Sequence, residues 1–431
     1  MNHCVFYGTL LVAGAMAGTA MASSPYFVEP DVNVVFSAFS EQPGDGFGWA
    51  AEDLGDINGD GASDLITSAP FQFNGGANTG KVYVYSGADG TLLASHTGDA
   101  GELLGYSVSL AGDLNGDGTN DYVSGSLARV VAWSGADHSM LWQQTGSTFR
   151  FGYDVDTAGD VNGDGKDDVV VGETGVNGNA GAVHVLSGAD GSVIWTHLGD
   201  STLGLLGGAV GRLGDVDGDG VPDVAAGARG GGLQPNDKQK PRGIAYALSG
   251  VDGSVLYDMR PVGLPSNTDL QPIGTYGVFF AAGGGDVDGD GIGDVFVGDY
   301  DARRGGSNPN SHDPLTTGTG RAYLYSGANG HRLGVLNAES GGDGFGPGRI
   351  IPDVNGDGRD DVYVAGYTWG PNFEGKAYVM SRGGATLRTM TGTQPFAGLG
   401  VDAVGLDDVN GDGKTDFLLT GFAEIHVILG N

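Results

Sequence analysis

Short apolar runs separated by glycine-rich turns fill the chain from about residue 32 onward. In KVYVYSGADGTLLASHTG from Lys81, AVHVLSGADGSVIWTHLG from Ala182 and RAYLYSGANGHRLGVL from Arg321, Val, Tyr and Leu alternate on either side of a Gly-Ala-Asp-Gly or similar turn. Alternation of period two about such a turn predicts a β-hairpin. Upstream, a short strand opens on glycine beside an aromatic or apolar residue, as at Phe47-Gly48, Leu104-Gly105, Phe151-Gly152, Tyr276-Gly277 and Phe345-Gly346. A second apolar run follows, DLITSAP from Asp64, DVVVGE from Asp168 or DVAAGA from Asp223. Each unit therefore has four strands, and no segment sustains a helical period. One such sheet cannot bury its own faces, so the units must stack around an axis. The expected fold is all-β, a seven-bladed β-propeller of four-stranded antiparallel blades.

The blade count rests on a nine-residue pattern, D-x-[ND]-G-D-G-x-x-D, which begins at Asp56, Asp113, Asp160, Asp215, Asp286, Asp353 and Asp408. Its spacings are 57, 47, 55, 71, 67 and 55 residues, close to the ~40–50 of common propeller repeats. Asp, Asn and Gly are also ordinary turn residues. Turn chemistry alone, however, does not require an aspartate at position 9 in seven copies.

Calcium chemistry does require acids in register. Oxygen ligands at positions 1, 3 and 5 of a tight loop converge on one ion with the carbonyl of position 7, and glycine at position 6 permits the turn. An EF-hand closes this cage with glutamate at position 12; here that position holds residues such as Thr67, Ser124 and Val171. Closure falls instead to position 9. The first loop then offers Asp56, Asn58, Asp60, the Ala62 carbonyl and Asp64, and the second Asp113, Asn115, Asp117, Thr119 and Asp121. The third offers Asp160, Asn162, Asp164, Lys166 and Asp168, and the fourth Asp215, Asp217, Asp219, Val221 and Asp223. Asp286, Asp288, Asp290, Ile292 and Asp294 form the fifth, and Asp353, Asn355, Asp357, Arg359 and Asp361 the sixth. The seventh comprises Asp408, Asn410, Asp412, Lys414 and Asp416. Up to seven Ca2+ ions are expected, held most tightly where Asp217 and Asp288 add a fourth carboxylate.

Phe-Gly upstream, a calcium loop, and Ser-Ala-Pro or Gly-Ala downstream together resemble the FG-GAP repeat of integrin α propellers. The resemblance covers nearly the whole chain after the leader, although Phe-Gly is literal in only three repeats. It implies an adhesion or binding module, with the calcium loops on one face and the connections between second and third strands on the other.

Charge and the chain start add to this picture. A formal net charge of −33 strains a compact fold by self-repulsion and argues against nucleic acid as a partner; bound cations relieve it. Val5 to Ala20 is apolar and ends at Ala20-Met21-Ala22, the small-x-small pattern of signal-peptide cleavage. Residues 1–22 are thus expected to be a signal peptide and 23–431 a single propeller, secreted, extracellular or periplasmic, monomeric and without a membrane span. The only cysteine, Cys4, lies in the leader. Residues 32–40, VNVVFSAFS, read as a strand that closes the last blade and removes a free edge.

Long loops on a rigid scaffold carry function, and the longest here are residues 229–242 and 299–320. They hold Arg229, Lys238, Lys240, Arg242, Arg303 and Arg304, while Tyr300, Tyr367 and Trp369 lie on neighbouring connections. Cationic groups for acids and aromatic faces for sugars predict a carbohydrate or extracellular protein partner. His312 beside Arg303 and Arg304 admits a polysaccharide lyase or hydrolase as an alternative, and a purely structural surface module is a third.

Overall fold

The computed structural model describes residues 25–200, 204–229, 243–261, 276–277, 281–300, 320–339 and 342–430. The signal peptide expected at residues 1–22 lies outside them. The chain forms seven four-stranded antiparallel sheets arranged as a propeller. Blade 1 runs outward through Ala51–Gly55, Asp64–Ala69, Lys81–Tyr85 and Leu92–Thr97. Blades 2 to 6 repeat this order from innermost strands at Ser107–Gly112, Phe151–Gly159, Leu206–Gly214, Ala281–Gly285 and Phe345–Ile351. Blade 7 takes Ala403–Leu406, Asp416–Thr420 and Glu424–Ile428 from one end of the chain and Val34–Phe39 from the other. Among the described residues no helix is long and apolar enough to cross a membrane.

Packing between blades explains the sequence pattern. Every residue of Asp64–Ala69, Asp168–Glu173, Asp223–Ala228 and Asp361–Gly366 is buried, because the second strand of each blade has a sheet on both sides. A strand covered on both faces loses its alternation and reads as a continuous apolar run. The core accordingly lies between blades. Leu54, Ile66 and Val82 of blade 1 meet Leu104, Val108 and Tyr122 of blade 2. The ring closes where Leu406, Leu418 and Val427 of blade 7 meet Ala51, Leu65 and Tyr83 of blade 1. Adjacent innermost strands touch all the way round.

The segment before Val34 binds blade 6 as well. The Glu29 carboxylate accepts the Thr391 amide at 2.8 Å and the Thr389 and Thr391 hydroxyls at 2.9 and 2.7 Å. Phe27 forms an antiparallel bridge with Gly392. Within blade 7, Ser37 Oγ lies 2.7 Å from Nδ1 of the buried His426.

Candidate functional site

Each innermost strand starts at one end of the axis and finishes at an acidic loop, so the ring has two distinct faces. On the loop face, the position-1 carboxylate draws the turn around itself. Asp56 accepts the amides of Gly59, Asp60 and Gly61 at 2.7, 3.1 and 2.8 Å; Asp215 and Asp408 accept the equivalent amides of their loops. Amides aimed at a carboxylate favour its charged form, and those of Gly358 and Gly413 hold Asp353 and Asp408 below the usual range.

Position 9 has the opposite environment. Asp64, Asp121, Asp168, Asp223, Asp294, Asp361 and Asp416 are all buried, and burial pushes Asp64, Asp121, Asp168 and Asp294 up to about 6. Each sits under its loop and reaches across the blade. Asp64 accepts the Ile57 amide at 3.0 Å and, from the hairpin beyond the third strand, the Gly87 amide at 3.3 Å. Asp121 and Asp168 do the same with Gly135 and Gly188. These glycines are required by space: a Cβ on Gly87 or Gly188 would lie 1.8 Å from the carbonyl oxygen of Ser63 or Asp167.

Carboxylate oxygens of Asp215, Asp217 and Asp223, and of Asp286, Asp288 and Asp294, lie within 4.8 Å of one another. Like charges gathered over a buried acid form a site short of positive charge, and the hard oxygen donors fit a divalent cation. Positions 1, 3 and 9 gather in these two loops. Asp219 and Asp290, at position 5, stand outside the group and accept the Val221 and Ile292 amides at 2.8 and 2.9 Å.

Neighbouring loops are tied together through position 8. Asp360 accepts the Asp286 amide at 2.7 Å and donates its own amide to the Asp286 carbonyl at 3.0 Å. Asn120 donates to the Leu54 carbonyl at 3.0 Å. Asp53 accepts the Ser63 hydroxyl and, at 2.7 Å, the Asp407 amide.

The other face opens on an axial cavity of about 360 Å3. Aromatic rings surround its mouth. Trp49 packs against Phe71 at 5.2 Å and Tyr106 at 5.7 Å, and Tyr106 against Tyr153 at 5.1 Å. On the far side Tyr300 meets Tyr367 at 6.1 Å, and Tyr367 meets Phe422 at 6.2 Å. Five of the seven blades contribute a ring to the lining, and Tyr153 of a sixth packs on Tyr106.

Below the aromatics lies a charged floor. Glu52, Ser109, Asp156 and Arg349 pair with Ile66, Val123, Val170 and Tyr363, each two residues past a position-9 aspartate, so they share one level of the ring. Arg349 spans three blades: Nη1 donates to Glu52, while Nη2 donates to the Ala51 carbonyl at 2.9 Å and to Asp402 at 3.1 Å. The innermost strands are sheet edges with spare amides, and the acids take these up. Asp402 accepts the Ala51 amide at 3.1 Å, Asp154 that of Val210 at 2.8 Å, and Asp156 that of Arg212 at 3.1 Å. Burial raises Glu52 to about 7 against the pull of Arg349, and raises Asp154 well above the carboxylate range.

Of the ligand residues expected from sequence, Tyr300 and Tyr367 come together at this mouth. Trp369 instead lies 5.2 Å from the Lys376 ammonium, and Arg229 is half-buried. Lys238, Lys240, Arg242, Arg303, Arg304 and His312 lie outside the described residues. Sequence reading missed Trp49, Tyr106 and Tyr153 at the rim and Glu52, Asp154, Asp156, Arg349 and Asp402 in the floor. A signal did exist: Trp49, Tyr106 and Tyr153 each directly follow the glycine that opens a blade.

Comparison with known proteins agrees with this architecture. The FG-GAP repeat model matches residues 48–85 and 151–186, so the chain carries FG-GAP repeats in two places and is similar there to the propellers of integrin α chains. It is 36% identical to mouse integrin alpha-2 over 99 residues, 20% of this chain and 8% of that one. Identity to human integrin alpha-11 is 31% over 147 residues, 29% and 12% of the two chains. The chain thus matches only a small part of these relatives' length. Its fold is also similar to a chain in the crystal structure of BBS1N in complex with ARL6DN, with a TM-score of 0.57 and 10% identity over 93% of this chain and 97% of that one.

Proposed function

We propose that the chain is an exported, calcium-loaded binding or adhesion module that engages an extracellular carbohydrate or protein at the axial mouth opposite its acidic loops. The observation that carries this reading is that aromatic side chains of five blades, Trp49, Tyr106, Tyr300, Tyr367 and Phe422, line a single cavity. Aromatic rings on a rigid scaffold give a large contact area with little entropy to lose, the property that enriches them at binding surfaces. The second strands of blades 4 and 5 end at Ala228 and Asp299 on this same face.

The metal loops belong to the same proposal. Seven calcium ions, held by the residues at positions 1, 3, 5, 7 and 9, would neutralise acids that otherwise repel and keep the innermost strands in register for the rim. The buried position-9 acids and the two converging triads support this. The test is binding of calcium-loaded protein to arrays of glycans and extracellular proteins. A partner captured by the wild type is expected to be lost when Trp49, Tyr106 and Tyr367 are all replaced by alanine. Undiminished capture by that variant refutes the reading.

A further inference from the structure

We infer that the axial cavity is a site for a neutral sugar ring, stacked on the rim aromatics with its hydroxyls on the floor beneath. The inference rests on the binding role proposed above and names the class of ligand. Its size is right: about 360 Å3 lies at the lower end of the roughly 300–1,000 Å3 of small-ligand pockets.

The floor narrows the chemistry. Four acids, Glu52, Asp154, Asp156 and Asp402, surround the one guanidinium among them, Arg349, which already pairs with Glu52 and Asp402, so no unpaired positive charge awaits an anion. An apolar ligand would strip water from these groups without replacing it. The acids keep acceptor capacity after their bonds to the neighbouring blades, because a carboxylate has about four lone-pair positions. Arg349 adds a donor: Nη1 and Nη2 are engaged, but Nε is buried with no partner. A buried donor without an acceptor is costly. An ammonium can only donate, which leaves that N–H unmet; an alcohol oxygen donates to a carboxylate and accepts from Nε, directly or through a water. Glu52, Asp154, Asp156 and Arg349 of the floor stand on innermost strands packed between two blades, and the rim rings flank the ends of first and second strands, so the site is formed before the ligand arrives.

The experiment titrates calcium-loaded protein with neutral maltotriose, cellotriose and N-acetylglucosamine trimer, with cationic glucosamine trimer and with a heparin hexasaccharide, read by calorimetry and tryptophan fluorescence. At least one neutral trisaccharide is expected to bind, about tenfold more weakly to Trp49→Ala, the equivalent of one lost stacking face, and about tenfold more weakly to Asp154→Asn. Trp49→Phe should retain most of the affinity, which keeps the test open if Asp154→Asn does not fold. Binding of only the glucosamine trimer or only the heparin fragment, still sensitive to Trp49→Ala, overturns the neutral-sugar assignment and leaves the rim role standing. The same holds if no saccharide binds and a protein partner is lost on Trp49→Ala. A neutral sugar indifferent to Trp49→Ala and Asp154→Asn sits elsewhere and overturns the inference. Partners indifferent to every rim substitution overturn both readings.

Discussion

The two faces of the ring are built on opposite rules. On one, the same loop appears seven times with nearly the same hydrogen bonds, whether it starts at Asp56, Asp215 or Asp408. On the other, the glycines that open successive blades are followed by Trp49, Tyr106 and Tyr153, then Gly208, and later Pro347 and Val401. Repetition marks what every blade needs in order to fold. Variation marks where seven strands share one cavity and each contributes something different.

The largest break in this comparison should come from removing metal. Chelation is expected to lower the melting temperature by more than ~10 °C, since loss of a tightly held ligand costs the folded state several kcal/mol per site; a melt with and without EDTA, beside metal analysis of the native protein, checks this. Next is Asp294→Ala, which leaves the Val287 and Gly327 amides without their acceptor and should cost about 2–4 kcal/mol in chemical denaturation. Asp360→Ala, which cuts the tie between the fifth and sixth loops, should cost about 1 kcal/mol and weaken calcium at the fifth loop, visible as a split in the calcium titration. On the other face, Tyr367→Ala should change stability less than any of these while reducing partner capture.

A separate effect concerns pH. Glu52 holds its proton more tightly in the folded chain, about 7 against an ordinary 4.5, because burial outweighs the attraction of Arg349. Between those values the folded state binds more protons than the unfolded state, so this group's contribution falls as pH rises from about 4.5 to about 7. Glu52→Gln should flatten that part of the stability profile, measured by melts from pH 5 to pH 8.

The sequence showed these faces unequally. Aspartate in register at position 9 and the Ser-Gly-Ala-Asp-Gly turns are local signals, and they made the blade count and strand order readable. The fourth carboxylates at Asp217 and Asp288 likewise picked out the two loops whose acids converge. The axial floor could not be read in this way. Glu52, Arg349 and Asp402 are hundreds of residues apart at the extremes, and nothing local shows that Arg349 bonds to Glu52 across 297 positions. A lone glutamate in AAEDLG reads as a solvated strand residue until the ring places it beside the axis. The charged loops drew attention because charge in an acidic chain is conspicuous, whereas Trp49 and Tyr106 lay within the very motif used to count blades.

The last blade carries a consequence for how the molecule is made. Ser37 and His426, 389 residues apart, meet within one sheet, so that sheet cannot zip until Glu424–Ile428 has been made and finds Val34–Phe39. Assembly that depends on such distant partners is slow. Blades 1 to 6 must persist meanwhile as an open arc with apolar edges uncovered, and the final pairing acts as the clasp that turns a curved stack into a closed circle.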